Sequence, residues 1–174
     1  MAVTAIGQHG TSLAAAGSII RDGFHPSSKP EDWLGDGVYF FQDAPQRARE
    51  WAISRYNDDA AVVEASIDLT NFLDLLDIEW TNWLAEVHDQ YVAKLKAEGT
   101  ALPTQKGGAH RLDRAVLNYA VDVLKASGIE IAGIRGAFTE GSAIFPNSAL
   151  FNRSHVQIAV RDLAAIKKAR IIFP

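Results

Sequence analysis

Two separated groups of residues near the start of this chain could grip a small molecule that carries both a flat ring and a sugar. The first is His9-Gly10-Thr11, and 28 residues after Thr11 comes Tyr39, within Gly35-Asp36-Gly37-Val38-Tyr39-Phe40-Phe41. A flat ring is held by aromatic faces, a carboxamide by paired backbone donor and acceptor groups, and a sugar by a side chain that bonds its hydroxyls. A His-Gly pair at a strand end supplies the last two: His9 reaches the sugar, and Gly10 lets a ring come close to the backbone.

Positioning these residues falls to elements that periodicity outlines. Val3 to His9 reads as a strand ending at Gly10, followed by a helix that Thr11 or Ser12 caps, with Leu13, Ala16, Ile19 and Ile20 at helical spacing and Gly23 as its C-terminal stop. A Pro/Ser/Gly/Asp-rich loop over 25–36 delivers the chain to a strand at Val38-Tyr39-Phe40-Phe41. Asp43 is placed to cap the next helix, which has Pro45 in its first turn and Ala44, Ala48, Trp51, Ala52 and Tyr56 along one side. Ala61 to Leu69 alternates apolar and polar residues as a half-buried strand does. Ile78 to Glu98, with Trp80, Trp83, Leu84, Val87, Tyr91 and Leu95 on one face, and Leu112 to Ala126 read as two helices. Between them Thr100 to His110, with Gly107-Gly108, reads as a mobile loop. Strands are expected over Ile129–Phe138, Val156–Val160 and Arg170–Phe173, with a brief turn over Asp162–Ile166. Strands, then helices, then strands without regular alternation predict an α+β domain rather than a doubly wound parallel sheet.

Composition bounds the rest. With 174 residues, 48% of them hydrophobic, the chain is long enough for one domain, 1–174, and short for two. It has no cysteine, which excludes disulfides and zinc-thiolate sites and agrees with a reducing compartment. The start lacks the pattern of a secretion signal, and no stretch approaches the ~18 apolar residues that span a bilayer, so a cytoplasmic protein without membrane contact is expected. No His pair has metal-ligand spacing and no phosphate-binding glycine motif is present, so no metal is assigned. The net charge of −4 is unevenly spread: residues 56–93 carry nine acids and no Lys or Arg, whereas residues 94–174 carry twelve bases and six acids. This is read either as a solvated acidic helix on a mixed body or as a basic half facing pyrophosphate, nucleic acid or an acidic antitoxin-like protein.

Taken together, His9-Gly10-Thr11, a helix ending near Gly23-Phe24, and Gly35-x-Gly37-Val38-Tyr39-Phe40 resemble the ADP-ribosyltransferases of the diphtheria-toxin and poly(ADP-ribose) polymerase branch, whose triad is His-Tyr-Glu. The likeness covers three short motifs in detail and leaves a helical insert of about 74–127 unmatched. It implies a split antiparallel sheet with flanking helices and NAD, as co-substrate, in the cleft between the half-sheets. His9 would bond a ribose hydroxyl, Gly10 would pair with the carboxamide beside Thr11, and Tyr39 would stack on nicotinamide. Trp51 falls near the family's second aromatic, as the other side of the sandwich or as plain helix core. The third triad position holds Gln157 in place of glutamate. An amide accepts a hydrogen bond but brings no charge to an oxocarbenium centre, which points to single ADP-ribose transfer, to slow turnover, or to a carboxylate from elsewhere. Glu140 is the nearest candidate for that carboxylate, its alternative being a turn residue paired with Arg135. Phosphates would fall to Arg135, Arg153 or Lys106.

The activity so implied is that of a glycosyltransferase moving one ADP-ribose unit to a macromolecular acceptor, protein or nucleic acid, as bacterial toxins, toxin–antitoxin pairs and phage-defence effectors of this kind do, with an antitoxin or immunity protein as a further partner. An NAD glycohydrolase, with water as acceptor, and an inactive NAD- or ADP-ribose-binding module are the rivals. A tRNA 2′-phosphotransferase is disfavoured, because that branch uses histidine and arginine where this chain has Tyr39 and Gln157. The acidic insert and the Gly107-Gly108 loop are the expected places for acceptor or inhibitor contacts.

Overall fold

The computed structural model describes residues 3–106 and 109–174, so Gly107 and Gly108 lie outside the described residues. In chain order the elements are β1 (Thr4–Ser12), α1 (Leu13–Asp22), β2 (Val38–Gln42), α2 (Pro45–Tyr56), β3 (Ala60–Asp68), β4 (Phe72–Asp74), α3 (Ile78–Ala97), α4 (Arg111–Ala126), β5 (Gly133–Phe138), β6 (His155–Val160) and β7 (Ile166–Phe173). The fold is α+β: seven strands form one sheet in the order β4-β5-β6-β2-β1-β3-β7, with helices on both faces.

The sheet is not wholly antiparallel as expected, because β4 runs parallel to β5. Three residues are too few to show a strand period, so Phe72-Leu73-Asp74 was indistinguishable from the start of the insert. Their direction follows from connectivity. Between β4 and β5 the chain passes through α3 and α4, and only a long crossover of this kind can bring a strand back parallel to its neighbour.

At its centre the sheet parts. β1 pairs with β3 along its full length from Thr4 to Ser12, and β2 pairs with β6 from Val38 to Gln42. Between β1 and β2, however, only Gly7 with Gln42 and Gln8 with Phe41 are in register. A three-stranded half (β1, β3, β7) and a four-stranded half (β4, β5, β6, β2) are thus hinged over two residue pairs. The joint is dry and tight. A Cβ at Gly7 would lie 2.6 Å from Ile67 Cδ1 and 2.8 Å from Phe40 Cβ, so only glycine leaves room for these two fully buried side chains.

One face of the sheet carries the core of Ala5, Phe24, Val38, Phe40, Val63, Ile67, Phe72 and Ile158, covered by α1 through Ala16 and Ile19. The other face is covered in two places: α2 sits over Phe41 and Val62 through Ala48, while α3 and α4 cover Leu34, Leu73, Ile134 and Ala159. Helix α1 has the predicted ends, with Ser12 Oγ accepting from Ala15 N–H at 3.2 Å and the Gly23 N–H bonding Ile19 O at 2.9 Å. Helix α2 does not. Asp43 turns away at φ 51°, Ala44 occupies the cap, and its N–H is taken by Gln8 Oε1 at 2.9 Å. That N–H belongs to the cap residue itself, so the first turn of α2 has no side-chain cap, and Pro45 at its start removes one of the donors a cap would serve.

Candidate functional site

Where β1 and β2 separate, a cleft of about 380 Å³ opens. Its walls hold His9, Gly10 and Thr11 from the end of β1, Tyr39 and Phe41 from β2, Gln157 from β6, Glu140 from the β5–β6 loop, and Arg47, Trp51 and Arg55 from α2. Residues 148 positions apart in the chain thus meet because the half-sheets diverge from a common hinge.

Had the β1–β2 ladder continued, His9 would face Phe40 across it. Instead its imidazole bridges the gap, with Nδ1 2.7 Å from the backbone oxygen of Tyr39. A carbonyl only accepts, so Nδ1 carries the proton and donates, and in the neutral ring Nε2 keeps its lone pair. Phe24 and Phe40 flank the ring at 5.6 and 5.7 Å. Burial is the larger influence and pulls the His9 pKa below the usual imidazole value, against the opposing bond to Tyr39 O. His9 is therefore a neutral hydrogen-bond acceptor at neutral pH.

Tyr39 is pinned by its hydroxyl, which donates to Gly35 O at 2.7 Å and accepts from Leu34 N–H at 2.8 Å. Burial, reinforced by the nearby Asp32 carboxylate, holds the phenol far above its ordinary range. A hydroxyl so occupied has no proton to give a ligand, and what the residue offers is its ring face. The loop that pins it is clamped from the insert: Asp36 N–H donates to Asn118 Oδ1 at 3.1 Å, and the Asp36 carboxylate pairs with Arg114 at 2.6 Å. Asn118 thus anchors the loop on which Tyr39 depends.

Gly10 lines the cleft and has a further, packing reason for being glycine. The space of its missing side chain is filled by α2, since a Cβ there would stand 2.7 Å from Ala48 O and 3.0 Å from the Trp51 ring. Close approach of the helix is what this glycine permits, and that approach carries Trp51, 37% exposed, to the rim of the cleft rather than into the core. Thr11 is buried in the cleft wall.

The charged groups are rearranged relative to expectation. Arg135 does not line the cleft and does not meet Glu140; it bonds Asp74 and Gln42 Oε1, both at 2.8 Å. Glu140 is instead held by Arg47, with His155 Nδ1 3.7 Å away. Arg47 also reaches Glu50 at 3.3 Å and lies over the Phe41 ring at 5.2 Å, while Arg153 is taken by the other oxygen of Glu50. Lys106, in a turn with Ala109, is not in the cleft. The cations that do line it are Lys29, Arg47 and Arg55, none of which sequence spacing singled out. Among the described residues, Lys29 and Arg55 have no carboxylate within ion-pair reach. Arg55 had one legible signal, its place one helical turn after Trp51 on the same face.

Gln157 completes the cleft. Its Nε2 donates to His155 Nε2 at 2.9 Å, and His155 Nδ1 in turn bonds Arg153 O at 2.7 Å. His155 thus shares a strand face with Gln157 as its buried hydrogen-bond partner.

Beyond the cleft, four arginines of the second half pair with carboxylates of the first: Arg114 with Asp36, Arg135 with Asp74, Arg153 with Glu50 and Arg170 with Glu64. Among the described residues no group of His, Asp and Glu is placed to hold a metal ion, and no helix is long and apolar enough to cross a membrane. No protein-family model matches the chain, and no curated protein matches it.

Proposed function

We propose that the cleft binds NAD and that the protein transfers one ADP-ribose unit to a macromolecular acceptor with release of nicotinamide. The observation that carries this reading is that His9, Tyr39 and Gln157, from three different strands, converge on one cleft at the parting of the sheet. In the reaction the bond between the ribose anomeric carbon and the nicotinamide nitrogen breaks, its electron pair leaves with neutral nicotinamide, and positive charge develops on the sugar. An acceptor nucleophile then bonds that carbon and gives up its proton to solvent.

Each residue has a chemically defined part in this scheme. His9 Nε2, unprotonated, accepts from a ribose hydroxyl and fixes the sugar. The Tyr39 ring, immobilised through its hydroxyl, and the half-exposed Trp51 ring supply flat apolar surface for the pyridinium. Lys29 and Arg55, free of carboxylates, suit the pyrophosphate. Among the described residues Glu140 brings the only carboxylate of the cleft outside the 25–37 loop, but Arg47 neutralises much of its charge. Transition-state stabilisation is correspondingly weak, in keeping with transfer of a single unit and with slow turnover. The β5–β6 loop that bears Glu140 also exposes Ile144, Phe145 and Leu150, large apolar side chains of the kind that meet macromolecules.

The substitution at position 157 favours a second reading, a module that binds NAD or ADP-ribose without consuming it. Calorimetric titration with NAD, joined to a nicotinamide-release assay with and without cellular protein or RNA, separates the two. Release that depends on one macromolecular pool, with label from adenine-labelled NAD entering that pool, supports transfer. Release with water alone indicates hydrolysis, binding without release indicates the module, and absence of binding rejects all three.

A further inference from the structure

We infer that His155 is a positioning residue that locks the side-chain amide of Gln157 with its carbonyl oxygen presented to the cleft. The observation is geometric, and it rests on the NAD reading only for the identity of the ligand.

The argument runs through two hydrogen bonds of fixed polarity. Arg153 O, 2.7 Å from His155 Nδ1, can only accept, so that nitrogen carries the proton. Nε2 of the neutral ring is then a lone pair, and the Gln157 atom 2.9 Å from it must be the donor, the amide nitrogen. The carbonyl oxygen of Gln157 is left on the other side, and no protein donor among the described residues reaches it. An isolated glutamine amide can turn over and present either its acceptor or its donors, since the two ends differ little in shape. His155 removes that freedom. It is itself immobilised, with a side chain only 1% exposed, its ring 4.9 Å from Phe41 and 6.0 Å from Phe138 in a stacked arrangement. Burial disfavours its cation, and of the charges facing it Glu140 favours protonation while Arg47 opposes it.

This accounts for glutamine at position 157. A carboxylate there would place its oxygen against the imidazole lone pair, a repulsion relieved only if the buried ring took up a proton. It also gives the cleft two fixed, neutral acceptors on two diverging strands, His9 Nε2 from β1 and Gln157 Oε1 from β6. Neutral acceptors are the chemical complement of hydroxyl donors, so the ligand class this wall selects is a ribose with its secondary hydroxyls free.

The test compares wild type with His155→Phe, which keeps an aromatic ring between Phe41 and Phe138 but offers no acceptor, and with His155→Gln, whose side-chain oxygen restores one. The readout is the ratio of Kd values for NAD lacking a nicotinamide-ribose hydroxyl and for NAD itself. A hydroxyl-reading wall predicts that His155→Phe compresses this ratio about tenfold, the worth of one hydrogen bond, and that His155→Gln recovers part of it. A merely structural role would weaken both ligands equally and leave the ratio unchanged, which overturns the inference. Independently of folding in those variants, ¹⁵N NMR of wild-type imidazoles should find His155 as the Nδ1–H tautomer, and Gln157→Glu should raise its titration midpoint. An Nε2–H tautomer, or an unmoved midpoint, is contrary to the inference whether or not NAD binds. Failure of wild type to bind NAD, with the NMR result as expected, removes the NAD reading and leaves the His155–Gln157 lock standing.

Discussion

The two ends of the β1–β2 seam are built from consecutive residues and do opposite things. At the closed end Gly7 and Gln8 pair with β2, and the missing side chain of Gly7 is replaced by Ile67 and Phe40. At the open end, two residues on, the His9 ring reaches across to Tyr39 O and the strands part. The same pair of strands is core at one end and site at the other, and the choice is made by side-chain volume, none at position 7 and an imidazole at position 9.

The comparison is broken most severely at the closed end. Gly7→Val forces methyl groups into space that Ile67 and Phe40 already occupy and should cost about 3 kcal/mol or more in urea unfolding, with loss of ligand binding following loss of the hinge. At the open end His9→Ala should leave most of the fold's stability in place yet lower nicotinamide release on the order of 100-fold, close to 2.7 kcal/mol of barrier. If His9→Ala unfolds the protein as fully as Gly7→Val, the distinction between the two ends is lost.

Acid sharpens the same contrast. His9 and His155 both have folded-state pKa values lowered by burial, so below the unfolded value of ~6.5 the unfolded chain binds protons that the folded one refuses. Stability is therefore fully present above that pH and is lost as pH falls, with a slope of about 1.4 kcal/mol per pH unit for each proton. Urea midpoints between pH 7 and 5 should show it, and His9→Phe should remove one proton from the slope. The smallest effect belongs to the rim. Arg55→Ala breaks no ion pair and should leave stability unchanged while weakening NAD severalfold, a loss that shrinks with added salt. A salt-independent loss would remove Arg55 from the pyrophosphate.

The functional residues divide by how their positions are determined. His9, Tyr39 and Gln157 sit on strands whose alternation or flanking glycines are local features, and all three line the cleft. Arg135 and Glu140 looked like neighbours because they share a segment, yet a long side chain pairs with whatever carboxylate the fold brings within reach. For Arg135 that is Asp74 on the adjacent parallel strand, and for Glu140 it is Arg47 on α2. Asp43 fails as a cap because its backbone turns to φ 51° and Ala44 takes the cap position, its own N–H bonded by Gln8 from another strand. Asn118 gave no local sign that it clasps the loop of Tyr39, because that contact spans 82 residues.

Taken alone, the chain's order of residues determined the α+β class, helices α3 and α4, the alternation of β3 and the ends of α1. These are short-range consequences of period, capping and glycine placement, which each segment carries within itself. Only the tertiary structure decided that β4 exists and runs parallel, that the sheet opens after two paired residues, which arginine meets which carboxylate, and that His155 orients Gln157. Those outcomes depend on contacts between distant segments, where packing and proximity, rather than spacing along the chain, set the energies.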